Sequence, residues 1–130
     1  MINPLRYEGS EDTPSAVLDK DDELFLFEGR SLPENVNDFY EPVLDWFKAY
    51  RQNPLPETVV NFRLEYFSTA TSKLLYDLLI QLDDLHAAGH KVLIKWQYPK
   101  NDEDIFQAGK EYAEMFDVPF EFKSYLEDDA

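Results

Sequence analysis

The 130-residue chain contains no cysteine, so neither a disulfide framework nor a thiolate zinc site is open to it. Glycine is scarce too, with only 4 residues, and no glycine-rich phosphate loop or nucleophile elbow occurs around them. No apolar run approaches the length of a membrane span, and the amino terminus lacks the basic and apolar sections of a signal peptide. A soluble cytoplasmic protein is therefore expected. Positive charge is in deficit: 12 Lys and Arg stand against 27 Asp and Glu, for a net charge of −15. That balance opposes nucleic-acid phosphates and anionic lipid, so neither nucleic acid nor membrane is expected as a partner. The acidity reads either as a solvated surface or as the complement of a basic partner patch.

What is present in quantity is apolar. Hydrophobic residues make up 44% and aromatics 15%, with 10 Phe and 8 Tyr, enough to drive folding of one domain over residues 1–130. Residues 1–13 read as an extended lead-in and 126–130 as a frayed acidic tail. Ser15 to Asp19 and Glu23 to Glu28 form a hairpin signal around Lys20-Asp21-Asp22, with Gly29 ending the second strand. From Glu34 to Gln52 apolar residues recur at helical spacing, interrupted by Pro42, which predicts a kink or a fresh helical start near Glu41. Strands follow at Glu57–Phe67, Lys91–Tyr98 and Val118–Tyr125, alternating with helices that end near Gly89 and begin near Asn101 or Asp102. The order ββαβαβαβ predicts an α/β fold: a mixed sheet of about five strands, with three helices mostly on one face.

Catalytic signals are weak. His86 and His90 stand four apart, but Gly89 ends the helix between them, so they read as solvated helix-end residues and no metal or other cofactor is expected. The clusters Glu11-Asp12, Asp21-Asp22 and Asp102-Glu103-Asp104 fall in turns and at a helix start, where carboxylates serve local needs. The aromatics Phe39, Tyr40, Trp46 and Phe47 make a dense helical patch that suits a core, with part of it open to a partner-facing role.

The informative stretch is Asn61 to Lys73. Val60, Phe62, Leu64 and Tyr66 alternate at period two as a strand, and the sequence then enters Ser68-Thr69-Ala70-Thr71-Ser72-Lys73 and a leucine-rich helix. The first amides of a helix lack intrahelical partners, so these hydroxyls suit capping. The same amides and the helix dipole favour an anion, so a phosphate on one of the hydroxyls would also be well placed, although capping is the ordinary job of Ser and Thr at a helix start. Both readings stay open on the residues alone.

Three segments bring in a resemblance: Gly9-Ser10-Glu11-Asp12-Thr13-Pro14, the run Gly29-Arg30-Ser31-Leu32-Pro33-Glu34 leading to Phe39-Tyr40-Glu41-Pro42-Val43-Leu44-Asp45-Trp46, and Leu64 to Lys73. In this order they resemble the SiaC family of bacterial biofilm-regulation phosphoproteins. The resemblance implies a STAS-like partner-switching domain that is not an enzyme. It also implies phosphorylation of Thr69 by a cognate protein kinase, removal by a PP2C-type phosphatase, and activation of a diguanylate cyclase by the unphosphorylated form. Ser68, Thr71, Ser72 and Lys73 would then shape the phosphosite loop. Where the family commonly carries Asn before the threonine, Ser68 stands here, and which of the neighbouring hydroxyls is the acceptor is left open. The alternatives are a STAS-like module of another partner-switching pathway and a small acidic enzyme.

Overall fold

The computed structural model describes residues 2–126; the acidic tail from 127 onward lies outside them. Six strands form one sheet in chain order: β1 (Leu5–Tyr7), β2 (Ser15–Asp19), β3 (Leu24–Ser31), β4 (Glu57–Phe67), β5 (Lys91–Pro99) and β6 (Phe120–Tyr125). β1, β2 and β3 pair antiparallel, and β3 to β6 pair parallel. The parallel crossovers are α1 (Val36–Tyr50), α2 (Thr69–Ala87) and α3 (Glu103–Met115). Because each new parallel strand is added on the same side of the last, a single crossover hand lays all three helices on one sheet face.

That face carries the core. Phe25 and Phe27 of β3, Val60, Phe62 and Leu64 of β4, and Val92, Ile94 and Trp96 of β5 are all buried. α1 covers Phe25 with Trp46, Phe47 and Tyr50, and α2 contributes Leu75, Leu78, Leu79, Leu82 and Leu85. Each such side chain contributes about 1.5–3 kcal/mol on burial. α3 sits close on Trp96: a Cβ on Gly109 would fall 2.5 Å from the indole, whose Nε1 donates to the Ile105 carbonyl at 3.0 Å. The other face is half exposed and polar, with Arg63 paired to Glu28 at 3.4 Å and its guanidinium over the Tyr125 ring.

Three expectations are corrected. The lead-in is not merely extended: Leu5–Tyr7 pairs with Ala16–Leu18, and the sheet has six strands rather than five. Gly29 does not end β3. With φ of 115° it lies inside the strand, which runs on to Ser31. Pro42 neither stops nor restarts α1, which Asn35 caps and which is continuous to Tyr50. Glu41 and Pro42 face solvent, so water can satisfy the carbonyl that the missing N–H leaves free. The helical aromatics take the core place expected of the patch: Tyr40, Trp46 and Phe47 are buried, and the partly buried Phe39 packs on Tyr7.

Candidate functional site

The site lies at the carboxyl ends of the parallel strands, where the turn between β1 and β2 also arrives. A β-bulge builds it. Gly29 pairs with Leu64 but Arg30 pairs with Tyr66, which leaves Glu65 as an extra residue on β4. The insertion flips the strand's alternation. Tyr66, expected to share the inner face with Leu64, is instead 44% exposed beneath the Arg30 guanidinium, and Phe67 turns inward to meet Trp96 edge-on. The chain then leaves the sheet at Ser68 and enters α2.

Each hydroxyl of the junction has its own environment. Ser68 is the N-cap: its Oγ accepts the Thr71 amide at 3.1 Å and donates to Thr71 Oγ1 at 3.1 Å. Thr71 is fully buried. Its hydroxyl donates to the Ser31 carbonyl at 3.0 Å and also lies 3.0 Å from Ser31 Oγ, which lies 2.7 Å from the Tyr40 hydroxyl. With the Thr71 proton committed to that carbonyl, one donor sequence satisfies the chain: Tyr40 to Ser31 Oγ, and Ser31 Oγ to Thr71 Oγ1. Burial pushes the Tyr40 phenol up to about 12, only partly offset by the Ser31 hydrogen bond. Ser72 is half-buried, its Oγ donating to the Thr69 carbonyl at 2.6 Å and its own carbonyl accepting from the Tyr112 hydroxyl at 2.7 Å. Thr69 differs from all three. It is the first residue of α2, it is exposed, and its hydroxyl makes no hydrogen bond among the described residues. Lys73, one turn on, is exposed and forms no ion pair among them.

The same hydrogen bonds gather the three sequence segments. The Leu32 amide donates to the Asp12 carbonyl at 2.8 Å, and the Ser68 amide to the Ser31 carbonyl at 2.9 Å. Ser10 holds its own turn, its Oγ accepting the Asp12 and Thr13 amides. The residues around positions 10, 31 and 69 are thus one edge of one surface.

Among the described residues no group of three or more His, Asp or Glu side chains is placed to hold a metal, and His86 and His90 straddle the end of α2, where Gly89 has φ of 101°. No helix among them is long and apolar enough to cross a membrane. Sequence reasoning missed the Ser31 and Tyr40 partners, because 40 residues separate Ser31 from Thr71 and no local pattern marks the pairing. It also missed a cleft of about 510 Å³ between α2 and α3, floored by Phe67 and walled by Tyr76 and Met115.

Residues 7–125 match the family model described as SiaC family regulatory phosphoprotein. An uncharacterised protein of Pseudomonas aeruginosa strain UCBPP-PA14 is 29% identical over 129 residues, covering 97% of this chain and 100% of the relative. The fold superposes with a TM-score of 0.87 on SiaC of Pseudomonas aeruginosa, at 24% identity over 95% of this chain and 100% of that one. A chain from the crystal structure of the diguanylate cyclase SiaD in complex with its activator SiaC, from the same organism, gives 0.88 at 26% identity. That match covers 93% of this chain and 99% of that one.

Proposed function

The chain belongs to the SiaC family of regulatory phosphoproteins, and on that premise we propose that it is a non-enzymatic switch acting on a diguanylate cyclase in the cytoplasm. Its unmodified form docks on the cyclase through the first turn of α2 and the surface beside it, and activates it. A cognate kinase phosphorylates Thr69, and a PP2C-type phosphatase reverses the step. The observation that carries the reading is the contrast among the four hydroxyls: Thr71 is sealed in the core, Ser68 and Ser72 are half-buried and bonded, and Thr69 alone is exposed and unbonded. The match to a SiaC chain solved with its cyclase supports the choice of partner.

The physics of the switch is electrostatic. Phosphorylation adds roughly −1.5 to −2 charges and three acceptor oxygens at the amino end of α2, where the helix dipole tolerates them. The helix is therefore kept, while a docked partner meets new charge and bulk at its contact. The test has two arms. Protein purified from its own cells is digested and mapped for phosphate, with Thr69 the expected site. Thr69→Ala and Thr69→Asp are then titrated against the organism's own diguanylate cyclase, with cyclic-di-GMP synthesis measured alongside. Thr69→Ala should bind and activate, and Thr69→Asp should do so weakly. Phosphate mapped only to other residues, or equal activation by both variants, defeats the proposal.

A further inference from the structure

The two edges of the sheet are unlike. β1, at one edge, has 3 residues, and Arg6 at its centre pairs with Asp19 and Asp22 at 2.7 and 3.3 Å, so that edge is short and charged. β6, at the other, has 6 residues, and among the described residues nothing pairs with its outer side. Two bonds fix which of its backbone groups face inward: the Ile94 amide donates to the Pro119 carbonyl at 2.9 Å, and the Lys100 amide to the Tyr125 carbonyl at 2.6 Å. Odd-numbered residues therefore face β5, and the amides and carbonyls of Phe120, Phe122 and Ser124 point away from the sheet. The side chains alternate as well. Glu121 and Lys123 stand exposed on the helix-free face, with no ion pair among the described residues, while half-buried Phe120 and Phe122 lie on the helix side. The third helix leaves the edge open: Gly109 seats it on Trp96 of β5, and Phe106 and Lys110 reach out to the Phe122 ring, at 5.7 and 5.4 Å.

We propose that this edge pairs with the same edge of a second copy of the chain, antiparallel about a two-fold axis at Phe122, so that one sheet runs through both copies. Charge complementarity selects the occupant. With the axis at Phe122, Glu121 of each copy stands directly opposite Lys123 of the other, on the same face, and both contacts are attractive. The backbone agrees with that register. Phe122 meets its own copy and Phe120 meets Ser124, all through outward-facing groups, so these are the hydrogen-bonded pairs; Glu121 and Lys123 then form the closer pairs, with Cα atoms about 4.5 Å apart. Neighbouring registers fail. Moving the axis to Glu121 or to Lys123 keeps the hydrogen bonds but sets Glu on Glu or Lys on Lys, and a shift between these sets outward-facing groups against inward-facing ones. On the helix side the two Phe122 rings meet across the axis beside Phe106, and water is excluded from half-buried aromatic surface. The net charge of −15 on each copy opposes association at long range, which salt screens beyond about 8 Å at 0.15 M while the opposed pairs remain. One short strand from each copy makes a small contact, so the dimer is weak and depends on concentration. Thr69 follows β4 and takes no part in the contact, so the inference goes beyond the proposed function and does not depend on it.

The test is sedimentation equilibrium of the full chain at about 0.15 M salt, over a range of concentrations reaching about 1 mM, with a thermal melt of each variant. Wild type should pass from monomer to dimer within that range. Glu121→Lys and Lys123→Glu each set like charges opposite one another in both contacts, and each should weaken the dimer by about tenfold or more. The double exchange, Glu121→Lys with Lys123→Glu, restores opposite charges and should restore the dimer. Ser124→Pro removes an outward-facing amide, spares the bonds to β5, and should weaken the dimer too. Both charged side chains are exposed, so melts close to wild type are expected for the reversals. Wild type that stays monomeric throughout, or a dimer indifferent to both single reversals, overturns the proposal. A double exchange no stronger than the single reversals overturns the register, and the proposal with it. A monomeric chain whose binding to the cyclase falls in both single reversals gives the edge to that partner and overturns the second copy.

Discussion

Deleting two adjacent hydroxyls separates capping from the proposed switching. In Ser68→Ala, α2 loses the oxygen that accepts the Thr71 amide at 3.1 Å, and Thr71 Oγ1 loses a donor at the same distance. The cap contributes about 1 kcal/mol (range roughly 0.5–2) and the side-chain bond about 0.5–1.5 kcal/mol. Thr71 Oγ1 keeps its contacts to Ser31, so no buried oxygen is orphaned, and the total cost is about 1–3.5 kcal/mol. For a domain of this length that lowers Tm by about 3–14 °C. Thr69→Ala removes an exposed hydroxyl without a partner at the first helical position, and should stay within about 0.5 kcal/mol of wild type. Scanning calorimetry on the two variants and wild type at one pH reads the difference directly. Equal destabilisation by both substitutions would refute the division of labour, because it would make Thr69 a structural residue of the helix start.

Two further outcomes follow from the packing. Gly109→Ala should lower stability by about 1–3 kcal/mol despite alanine's better helix propensity, because the new methyl meets the buried Trp96 ring at 2.5 Å and the indole is held by Ile105; a raised Tm contradicts this. Alkaline stability should also fall: the folded Tyr40 phenol titrates near 12 and the unfolded one near 10.0, so its contribution is complete below pH 10 and is lost as pH rises toward 12. Tyr112 shifts in the same direction by burial, so Tyr40→Phe should shallow the alkaline limb of the Tm–pH curve without abolishing it, and an unchanged limb would sink the assignment.

The elements with local signatures were legible in the sequence. β4 and α2 fall where period-two alternation passes into helical spacing, and Ser68 and Asp102 cap where short polar side chains precede apolar stripes. What escaped depends on contacts far apart in the chain. β1 is 3 residues long, too short for a period, and exists because Leu5–Tyr7 finds Ala16–Leu18. Gly29 reads as a stop, yet the neighbouring strand's extra residue, Glu65, makes it part of a bulge. That bulge also reversed Tyr66 and Phe67, which strict alternation cannot foresee. At the site, the sequence located the junction and left its hydroxyls equivalent; burial and hydrogen bonding distinguish them.

The separation of roles at this junction has a physical logic. A modifiable hydroxyl that also capped its helix would lose its cap geometry when phosphorylated, and the modification would act first on folding. Here the cap belongs to Ser68 and the tie to the sheet belongs to Thr71, through Ser31 and Tyr40. Thr69 stands between them, exposed and with its hydroxyl making no hydrogen bond among the described residues. Under the proposed function, a phosphate there meets free first-turn amides and the positive end of the dipole, a favourable setting worth about 0.3–1 kcal/mol at the surface. The fold gains slightly or is indifferent, and the free-energy change is expressed at the docking surface. That predicts phosphorylated and unmodified protein with nearly the same Tm and different affinities for the cyclase. A phosphorylated form that melts several degrees lower, with weaker binding in proportion, would mean that the signal travels by unfolding α2.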